Sequence, residues 1–444
     1  MSSEWETVEV GDVCSVGDGA HSKVNRQTNG ILYLTSKNIG RGSLKLDNVD
    51  YISQEDFDRL FPAKSNATRR PRPGDVLIGI IGTFGNAYMY KPNDSFGFAS
   101  SIGVLRPDPA RLNSEYLYYV ITSQNFQAKH ANYNAGSVQG YTNIPTIKKL
   151  SLPLPPLEQQ VRIAGILKAL DDRINLLRET NKTLESIAQA LFKSWFIDFD
   201  PVRAKAERRE LAGMDPAVAA LFPAEFEESD LGLIPKGWRV APLSELCVSI
   251  FSGGTPDTRK PEYWNGTLPW FSSGETRASV VIGTEKHITE AAVANSSTRL
   301  AQYGDVLIAS AGQGLTRGQT SFCALDTYIN QSVVSVRTSR ELGSPAWTFY
   351  NLARRYDEMR AISDSHSIRG SLTTKLVASM RVVVPPTNDM RAYGDVAEQS
   401  LLSQAANARR ADTLAQLRDT LLPRLISGKL RLPEAEAKVL EAAE

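Results

Sequence analysis

The pattern of apolar and polar positions divides the chain into two kinds of segment. Residues 1–153 are rich in Gly, Ser, Thr and Asn, and short apolar runs such as 75–81 and 101–105 are bounded by Gly or Pro, which is typical of β-strands. Residues 112–127 have a helical pattern instead. This part of the sequence therefore predicts a mixed domain of short strands and short helices.

A long helix is predicted after Pro155-Pro156. Residues 157–195 contain no Pro and a single Gly, and apolar residues recur every three or four positions, which indicates a coiled-coil seam. The predicted seam consists of Ile163, Leu167, Leu170, Ile174, Leu177, Asn181, Leu184 and Leu191. Asn181 is its polar exception, and it either fixes the register of the seam or occupies a solvated position.

The chain also carries an internal repeat. The run RPGDVLI at 72–78 corresponds to QYGDVLI at 302–308, and SVQG at 137–140 corresponds to SIRG at 367–370. Gly74 and Gly304 are 230 positions apart, as are Gly140 and Gly370. Such a repeat decides the fold class, because each copy must form one structural unit.

The second copy repeats the whole plan of the first. Residues 345–362 have a helical pattern, and a second long helix is predicted from Pro385-Pro386 to Gly428. Its weaker seam consists of Val396, Leu401, Ala408, Leu414, Leu417, Leu421 and Leu425. Two long helices with apolar stripes should pack on each other as an antiparallel pair. The predicted fold is α+β, with two similar mixed α/β domains separated by two long antiparallel coiled-coil helices and related by a pseudo-two-fold axis.

The domain boundaries follow from these patterns. We expect a first domain at 1–153, a spacer helix at 154–198, a linker at 199–236, a second domain at 237–384, a second spacer helix at 385–428 and a C-terminal tail at 429–444. Residues 199–228 are expected to be helical but exposed and to cross between the two halves, and they could also form a surface for a partner.

Composition argues against a secreted, disulfide-rich protein and against a membrane protein. The net charge is +1, the two domains are mildly basic, and the linker is acidic. Three cysteines without metal-binding spacing do not form a disulfide framework, and the polar N-terminus lacks a signal peptide, so we expect a cytoplasmic protein. No apolar run is long enough to predict a membrane span.

Motifs for catalysis and cofactor binding are missing from the sequence. There is no phosphate-binding loop, no dinucleotide fingerprint and no zinc-protease motif. The four histidines, His21, His130, His287 and His366, are scattered and occupy different positions in the two copies. We therefore expect no catalytic centre, no metal and no bound cofactor in this chain, although a pair of dispersed carboxylates would leave no sequence pattern.

Several long motifs resemble the specificity subunits of type I restriction–modification systems. They are NIPTI at 143–147, LPLPPLEQQVRIA at 152–164, LFKSWFIDFDPVR at 191–203, LGLIPKGW at 231–238, SGGTP at 252–256, YWNG at 263–266 and LPW at 268–270. The motifs run through the whole chain. The second copy departs from the pattern with TNDM at 387–390, where the first has LEQQ at 157–160.

This resemblance implies a DNA reader without catalysis of its own. Each domain would be a target recognition domain that reads one half of a bipartite, asymmetric DNA site, and the helices would fix the gap between the halves. The implied partners are double-stranded DNA, two adenine-N6 methyltransferase (modification) subunits and restriction or translocation subunits. S-adenosylmethionine and ATP would bind those partners, not this chain.

Side chains that could read bases must lie on loops and carry amide, guanidinium, ammonium or hydroxyl groups. In the first domain these are Lys23, Asn25, Arg26, Lys37, Asn38, Arg41, Thr83, Asn86 and Gln139. In the second domain they are Thr255, Arg259, Lys260, Arg277, Gln313, Arg317, Gln319 and Arg369. Each could equally be a solvated loop residue.

Two other functions remain open at this point. A fused enzyme that methylates or cuts DNA alone would bind S-adenosylmethionine, and the missing motifs argue against it. A scaffold that pairs proteins through its helices would not contact DNA, and polar loops that differ between the copies argue weakly against that.

Overall fold

The computed structural model describes residues 5–443 except 66, 82–85, 133–141, 313 and 367–369. The chain forms two compact units, one made of Met1–Asn175 with Asp412–Glu444 and the other of Leu176–Ala411. We call them unit 1 and unit 2. Each contains one mixed domain and parts of the two long helices.

Nine strands and five short α-helices occur among the described residues of the first domain, which lies in unit 1. The strands are β1 (Thr7–Glu9), β2 (Cys14–Asp18), β3 (Ile31–Leu34), β4 (Asp50–Ile52), β5 (Val76–Gly79), β6 (Ala87–Met89), β7 (Gly97–Phe98), β8 (Ile102–Pro107) and β9 (Ser151–Pro153). The helices are α1 (Val10–Val13), α2 (Gln54–Leu60), α3 (Ser114–Thr122), α4 (Gln124–Asn132) and α5 (Ile144–Lys149). The helical pattern at 112–127 thus corresponds to two helices, α3 and α4.

Two sheets organise this domain. An antiparallel sheet has the order β2-β8-β5-β6, and a mixed sheet has the order β4-β3-β7, in which β3 and β7 are parallel. Strands β1 and β9 pair antiparallel and bring the two ends of the domain together. The buried aromatic rings of Phe57, Phe61 and Phe98 pack between the elements of the second sheet.

Helix α6 (Leu157–Phe196) follows the first domain, and the linker follows α6. The linker contains α7 (Asp200–Ala206), α8 (Pro216–Leu221), β10 (Phe226–Ser229) and β11 (Gly232–Pro235). The expectation of an exposed helical segment at 199–228 holds in part, because α7 and α8 are helical and most residues are exposed, whereas β10 and β11 form a hairpin and a few apolar residues pack into unit 2. Val202 and Phe222 are buried, and the Phe222 ring meets Trp195 edge-on at 5.5 Å. Burial of these apolar groups outweighs the polar composition of the segment.

The second domain repeats the first with added strands. Its elements are β12 (Arg239–Pro242), β13 (Cys247–Ser252), β14 (Trp264–Phe271), β15 (Val280–Val281), β16 (Lys286–Ile288), α9 (Glu290–Ala294), β17 (Arg299–Ala301), β18 (Val306–Ala309), β19 (Thr320–Cys323), β20 (Thr327–Ile329), β21 (Val333–Thr338), α10 (Pro345–Ala353), α11 (Tyr356–His366), α12 (Thr374–Ser379) and β22 (Arg381–Val384).

The sheets of the two domains correspond strand by strand. The order β13-β21-β18-β19-β15 matches β2-β8-β5-β6 with one strand added, and β16-β14-β20-β17 contains the counterpart of β4-β3-β7. The pair β12 and β22 closes the second domain as β1 and β9 close the first. The predicted fold class, two similar mixed domains and two long helices, is confirmed.

Helix α13 (Thr387–Ile426) completes the helical part with α14 (Leu432–Ala443), which occupies most of the expected C-terminal tail. In unit 2, the Tyr393 hydroxyl donates to the carbonyl of Ala188 at 3.1 Å, and the Ser400 hydroxyl donates to that of Leu184 at 3.3 Å. Residue numbers rise along α6 as they fall along α13, so these two helices are antiparallel.

The predicted seam residues lie mostly in the interior. Ile163, Leu167, Leu170, Ile174, Leu177, Leu414 and Leu421 are buried, whereas Asn181, Leu184 and Leu191 are half-buried. One expected position in α13 is wrong, because Val396 is 52% exposed. The stripe at the start of that helix is formed by Met390, Tyr393 and Ala397, one residue away in register.

The two copies differ where each long helix begins. Gln160 is fully buried, and its amide accepts from the backbone of Asn113 at 2.8 Å and donates to the carbonyls of Arg111 and Pro155. The corresponding residue of the second copy is Met390, which is also buried but apolar. The departure from the motif therefore changes how each domain is attached to its helix.

Among the described residues, we find no helix with the length and apolar character needed to cross a membrane.

Candidate nucleic-acid interface

A buried ion pair shapes both domains in the same way. Gly74 and Gly304 adopt positive φ angles of 93° and 90° in a tight turn, and the following aspartates, Asp75 and Asp305, accept from the backbone nitrogens of residues 72 and 302. Arg106 binds both carboxylate oxygens of Asp75 at 3.0 and 2.8 Å. Arg337 binds Asp305 at 2.9 and 2.8 Å. The turn therefore fixes the start of β5 and of β18 in one geometry.

A second shared feature is a capped turn after β3 and after β14. Thr35 with Asn38, and Ser272 with Glu275, form reciprocal side-chain and backbone hydrogen bonds around a 3₁₀ turn. The loop after each turn reaches the strand that pairs with β5 or β18. Residues of this loop are thereby brought next to the start of β6 and of β19.

In unit 1 this arrangement joins two of the predicted DNA-binding residues. The backbone nitrogen of Gly42 donates to the carbonyl of Ala87 at 2.9 Å, so Arg41 and Asn86 are close neighbours. Arg41 is exposed and pairs with Asp419 of α13 at 3.3 Å. Such an exposed pair contributes little stability and can exchange for another anion.

In unit 2 the corresponding residues are Arg277 and Gln319. They share an open groove of about 430 Å³, which we call the Arg277 groove. Thr276, Leu315, Gly318 and Tyr356 also line this groove. Arg277 is exposed, and the side-chain oxygen of Gln319 is buried without a hydrogen-bond partner. The groove thus offers an exposed cation and an apolar side chain, and an unused acceptor lies buried beside them.

Two predicted residues have their polar groups engaged inside the chain. Asn38 is buried, and its amide donates to the carbonyls of Lys45 and Asn48 while its oxygen accepts from Thr35. Arg317 is 7% exposed, donates to the carbonyl of Gly370 at 2.9 Å and pairs with Asp364. The expectation that both side chains are open to DNA is corrected, because each is needed to close a loop.

The remaining described candidates lie on other loops. Lys23, Asn25, Arg26 and Lys37 are exposed in the first domain, and Arg26 pairs with Asp50 at 2.6 Å. Thr255, Arg259 and Lys260 are exposed in the second domain, where Arg259 binds both oxygens of Asp257. Thr83, Gln139, Gln313 and Arg369 lie outside the described residues.

A second groove lies beside the loop of Arg259 and Lys260. It has a volume of about 410 Å³ and is lined by Thr258, Trp264, Asn265, Gly266, Glu285, Lys286 and His287. Trp264 meets Trp270 edge-on at 5.2 Å, and the Lys286 ammonium lies 5.7 Å from the Trp264 ring. Trp270 is buried, in agreement with a packing role.

Sequence reasoning missed the residues that build the Arg277 groove. Tyr356 and Arg360 of α11 donate hydrogen bonds to the backbone of the loop between β18 and β19, and Leu315 lies at the tip of that loop. The repeated Gly-Asp pair was visible in the sequence, but its partners Arg106 and Arg337 lie about 30 residues further on, and only the sheet order joins them. In the described part of the chain, no cluster of three or more His, Cys, Asp or Glu residues could hold a metal ion.

The fold and site define a protein with two similar domains, in which shared turns and ion pairs hold polar loops. Comparison with known families is more specific. Residues 2–186 match the family model described as "Type I restriction modification DNA specificity domain".

Similar proteins extend the match to the rest of the chain. The HindI specificity subunit of Haemophilus influenzae is 26% identical over 82% of this chain and 88% of the relative. The MjaIX specificity subunit of Methanocaldococcus jannaschii is 24% identical over 98% of this chain and 95% of the relative. The solved S subunit from M. genitalium has the same fold, with a TM-score of 0.61, 15% identity and coverage of 95% and 96%. The resemblance to type I specificity subunits is confirmed.

Proposed function

We propose that this chain is the DNA-recognition subunit of a type I restriction–modification complex and that each domain reads one half of a bipartite, asymmetric site. The observation that carries the proposal is the pair of corresponding positions Arg41 with Asn86 and Arg277 with Gln319. The surrounding turns and ion pairs are shared, while the side chains differ. Two readers of different half-sites need a common scaffold with different base-contacting groups.

The chemistry at these positions suits base recognition. Arginine binds guanine through two hydrogen bonds, and asparagine or glutamine binds adenine in the same manner. In the described part of the chain, the exposed Arg41 and Arg277 stand on loops tied to strands, which limits the entropy lost on binding. The near-neutral net charge is compatible with partners that supply much of the contact with DNA phosphates.

The proposal assigns catalysis to partner subunits. Two adenine-N6 methyltransferase subunits would dock on the long helices and bind S-adenosylmethionine, and restriction or translocation subunits would bind ATP. Helices α6 and α13 would fix the gap between the half-sites. Because a helix is stiff over its length, one gap length would be accepted.

The experiment is sequencing of N6-methyladenine in cells that express this chain with its modification subunit. The expected result is one split motif with a constant gap, lost when the chain is deleted. Arg277→Ala with Gln319→Ala should relax or abolish one half of the motif only. Arg239→Ala, an exposed arginine away from the groove, is the matched control and should leave both halves unchanged.

Other outcomes would support the competing functions. Methylation that is independent of this chain would leave the scaffold function, in which the helices pair proteins without DNA contact. Methylation by the purified chain alone, together with binding of S-adenosylmethionine, would make it an enzyme.

A further inference from the structure

Leu315 is an apolar side chain held out into water. It is 76% exposed at the tip of the loop between β18 and β19, and it lines the Arg277 groove. Single exposed leucines are common on protein surfaces and need no explanation by themselves. This one differs because several groups of unit 2 are used to hold its backbone in place.

Two residues of α11 hold the backbone at Leu315 by hydrogen bonds. The Tyr356 hydroxyl donates to the carbonyl of Leu315 at 2.9 Å, and Arg360 donates to the neighbouring carbonyl of Gly314 at 2.5 Å and to the Tyr356 hydroxyl at 3.1 Å. Both carbonyls at the tip are therefore fixed. A loop that only connected two strands would need no such support.

The far side of the tip is fixed by Arg317 and Gln319. The Arg317 guanidinium is buried between Gly370 and Asp364. The backbone of Gln319 donates to Thr316 at 3.0 Å and accepts from Ala309 at 2.9 Å. The conformation also requires glycine, since Gly314 and Gly318 have φ angles of 76° and 88°. The loop presents Leu315 and Gln319 in one arrangement.

We propose that the Arg277 groove reads an A·T base pair in the major groove, with Gln319 bound to the adenine and Leu315 packed on the thymine methyl group. This inference rests on the proposed function and names the base pair that one half-site must contain. Among the four bases, only thymine carries an apolar group on its major-groove edge. Adenine presents the N6 donor and N7 acceptor that a glutamine amide matches.

The unused oxygen of Gln319 supports this choice of base. This atom is buried and has no partner, so it lacks the hydrogen bond that such an acceptor normally makes. Because this oxygen is buried in the unbound chain, the Gln319 amide would turn into the groove on binding, where the adenine N6 amino group would supply the missing donor. Adenine N6 and the thymine methyl lie on the same edge of one base pair, so Gln319 and Leu315 can be satisfied together. Arg277 adds positive charge at the same place.

The test uses the assembled complex of this chain and its modification subunits. A domain swap first assigns the half-site that residues 237–384 read, and duplexes then carry deoxyuridine in place of each thymine of that half-site. Loss of one methyl contact should weaken binding by the wild type about 3- to 5-fold at a single position. Leu315→Ala should weaken binding to normal DNA by a similar factor and show no further loss with deoxyuridine.

Gln319 is tested at the same base pair with 7-deazaadenine, which lacks the N7 acceptor. The wild type should lose about 10-fold in affinity, and Gln319→Ala should lose at least as much on normal DNA and ignore the analogue. Leu315→Met keeps an apolar contact and should retain the response to deoxyuridine. Leu342→Ala removes a leucine that is 49% exposed elsewhere in unit 2, and both responses should persist.

Two results would overturn the assignment. They are a half-site in which no thymine methyl affects binding, and a methyl effect that persists in Leu315→Ala. If the complex binds its motif normally in these cases, only the base assignment fails. If the complex shows no sequence-specific binding at all, the proposed function fails and the assignment fails with it.

Discussion

At the scale of single residues, Asp305 ties the turn before β18 to strand β21. Its carboxylate accepts from the backbone nitrogen of Gln302, from the Ser335 hydroxyl at 2.9 Å and from Nε and Nη2 of Arg337. The side chain of Asp305 is 3% exposed and that of Arg337 is 26% exposed. A carboxylate so placed is stabilised by its partners, and those partners depend on it in turn.

Replacement of Asp305 by Asn should therefore lower the free energy of unfolding by about 2–4 kcal/mol, because the half-buried Arg337 loses its counter-charge. Chemical denaturation measures this change. Asp357→Asn, an exposed aspartate of α11, is the control and should shift stability by less than about 0.5 kcal/mol. The double variant Asp305→Leu with Arg337→Met should lose less than Asp305→Asn does. A loss in the double variant at least as large as that of Asp305→Asn would contradict a dependence of each charge on the other.

Asp389, unlike Asp305, is a buried carboxyl whose charged form the fold destabilises. It lies in the first turn of α13, is 1% exposed, and one of its carboxylate oxygens has no hydrogen-bond partner. Burial raises the pKa of this carboxyl from 3.8 to about 6. The folded protein therefore binds a proton more tightly at this residue than the unfolded chain does.

Linkage gives the sign of the pH dependence. The contribution of Asp389 is most favourable below pH 4 and is lost as the pH rises through about 6. Asp389→Asn, which stays neutral, should raise the melting temperature at pH 7–8 by roughly 2–8 °C and have little effect near pH 4. Thermal unfolding of both proteins between pH 4 and 8 measures the difference. Asp395→Asn, exposed on the same helix, serves as the control, and an equal gain from it would contradict the explanation.

At the scale of secondary-structure elements, the apolar interface between α6 and α13 contains a pair of hydrogen-bonded asparagines. In unit 2 the amide of Asn181 donates to the carbonyl of Gln404 at 2.9 Å, and the amide of Asn407 donates to the Asn181 oxygen at 2.9 Å. Both asparagines are half-buried. A polar pair of this kind fits only one alignment of the helices, which agrees with the register-fixing role considered for Asn181.

A double-mutant cycle tests the asparagine pair. Asn181→Leu and Asn407→Leu should each lower stability by about 1–2 kcal/mol, because each leaves its partner unsatisfied. The double leucine variant should be as stable as the wild type or more stable, since both polar groups are replaced together. Denaturant titration measures all four proteins. If the two losses simply add, the asparagines act independently.

The long helices and the duplication could be predicted because regular apolar spacing, proline positions and repeated motifs are visible in the sequence itself. Pro155 and Pro385 mark the helix starts, and repeated Gly-Asp turns mark corresponding strands. The linker was not predictable in the same way, because Phe222 is buried against Trp195, a contact set by the tertiary fold. The register of α13 at Val396 differs from the sequence prediction for a similar reason, since the larger side chain of Tyr393 is buried and Val396 is exposed.

The candidate site was likewise predictable from the sequence only in part. Sequence composition indicated loops with amide and guanidinium groups, and Arg277 with Gln319 indeed share one groove. The sequence could not distinguish Arg317, which closes a loop, from Arg277, which faces solvent. That difference depends on Asp364 and Gly370, which are about 50 residues away along the chain. Leu315 carried no polar signal and became visible only through its exposure.

At the scale of the whole molecule, the proposed role of the helices makes a quantitative prediction. Seven residues complete about two helical turns and lengthen a helix by roughly 10 Å, which corresponds to about three base pairs of DNA. Insertion of seven helix-forming residues after Asn175 in α6 and after Ala411 in α13 should lengthen the gap of the motif by about three base pairs. Both half-motifs should stay unchanged, because the domains are untouched. Methylation sequencing reads the gap directly.

Insertion of the same seven residues after Gly213, an exposed loop position of the linker, is the control and should leave the gap as it was. An unchanged gap in the helix-extended protein, with both half-motifs intact, would mean that the helices do not set the spacing. Loss of all methylation would instead indicate that the partner subunits no longer assemble on the extended helices.

The discontinuity of unit 1 has a consequence for biosynthesis. Unit 2 is one continuous stretch, Leu176–Ala411, whereas unit 1 needs Asp412–Glu444 to complete it. At ribosomal rates of about 5–20 residues per second, the first domain leaves the ribosome roughly 10–50 s before the helix end that covers Leu167 and Leu170 is made. During that interval these leucines lack the cover that the end of α13 gives them in the folded chain. A premature stop near codon 411 would thus spare unit 2 and leave unit 1 unfinished.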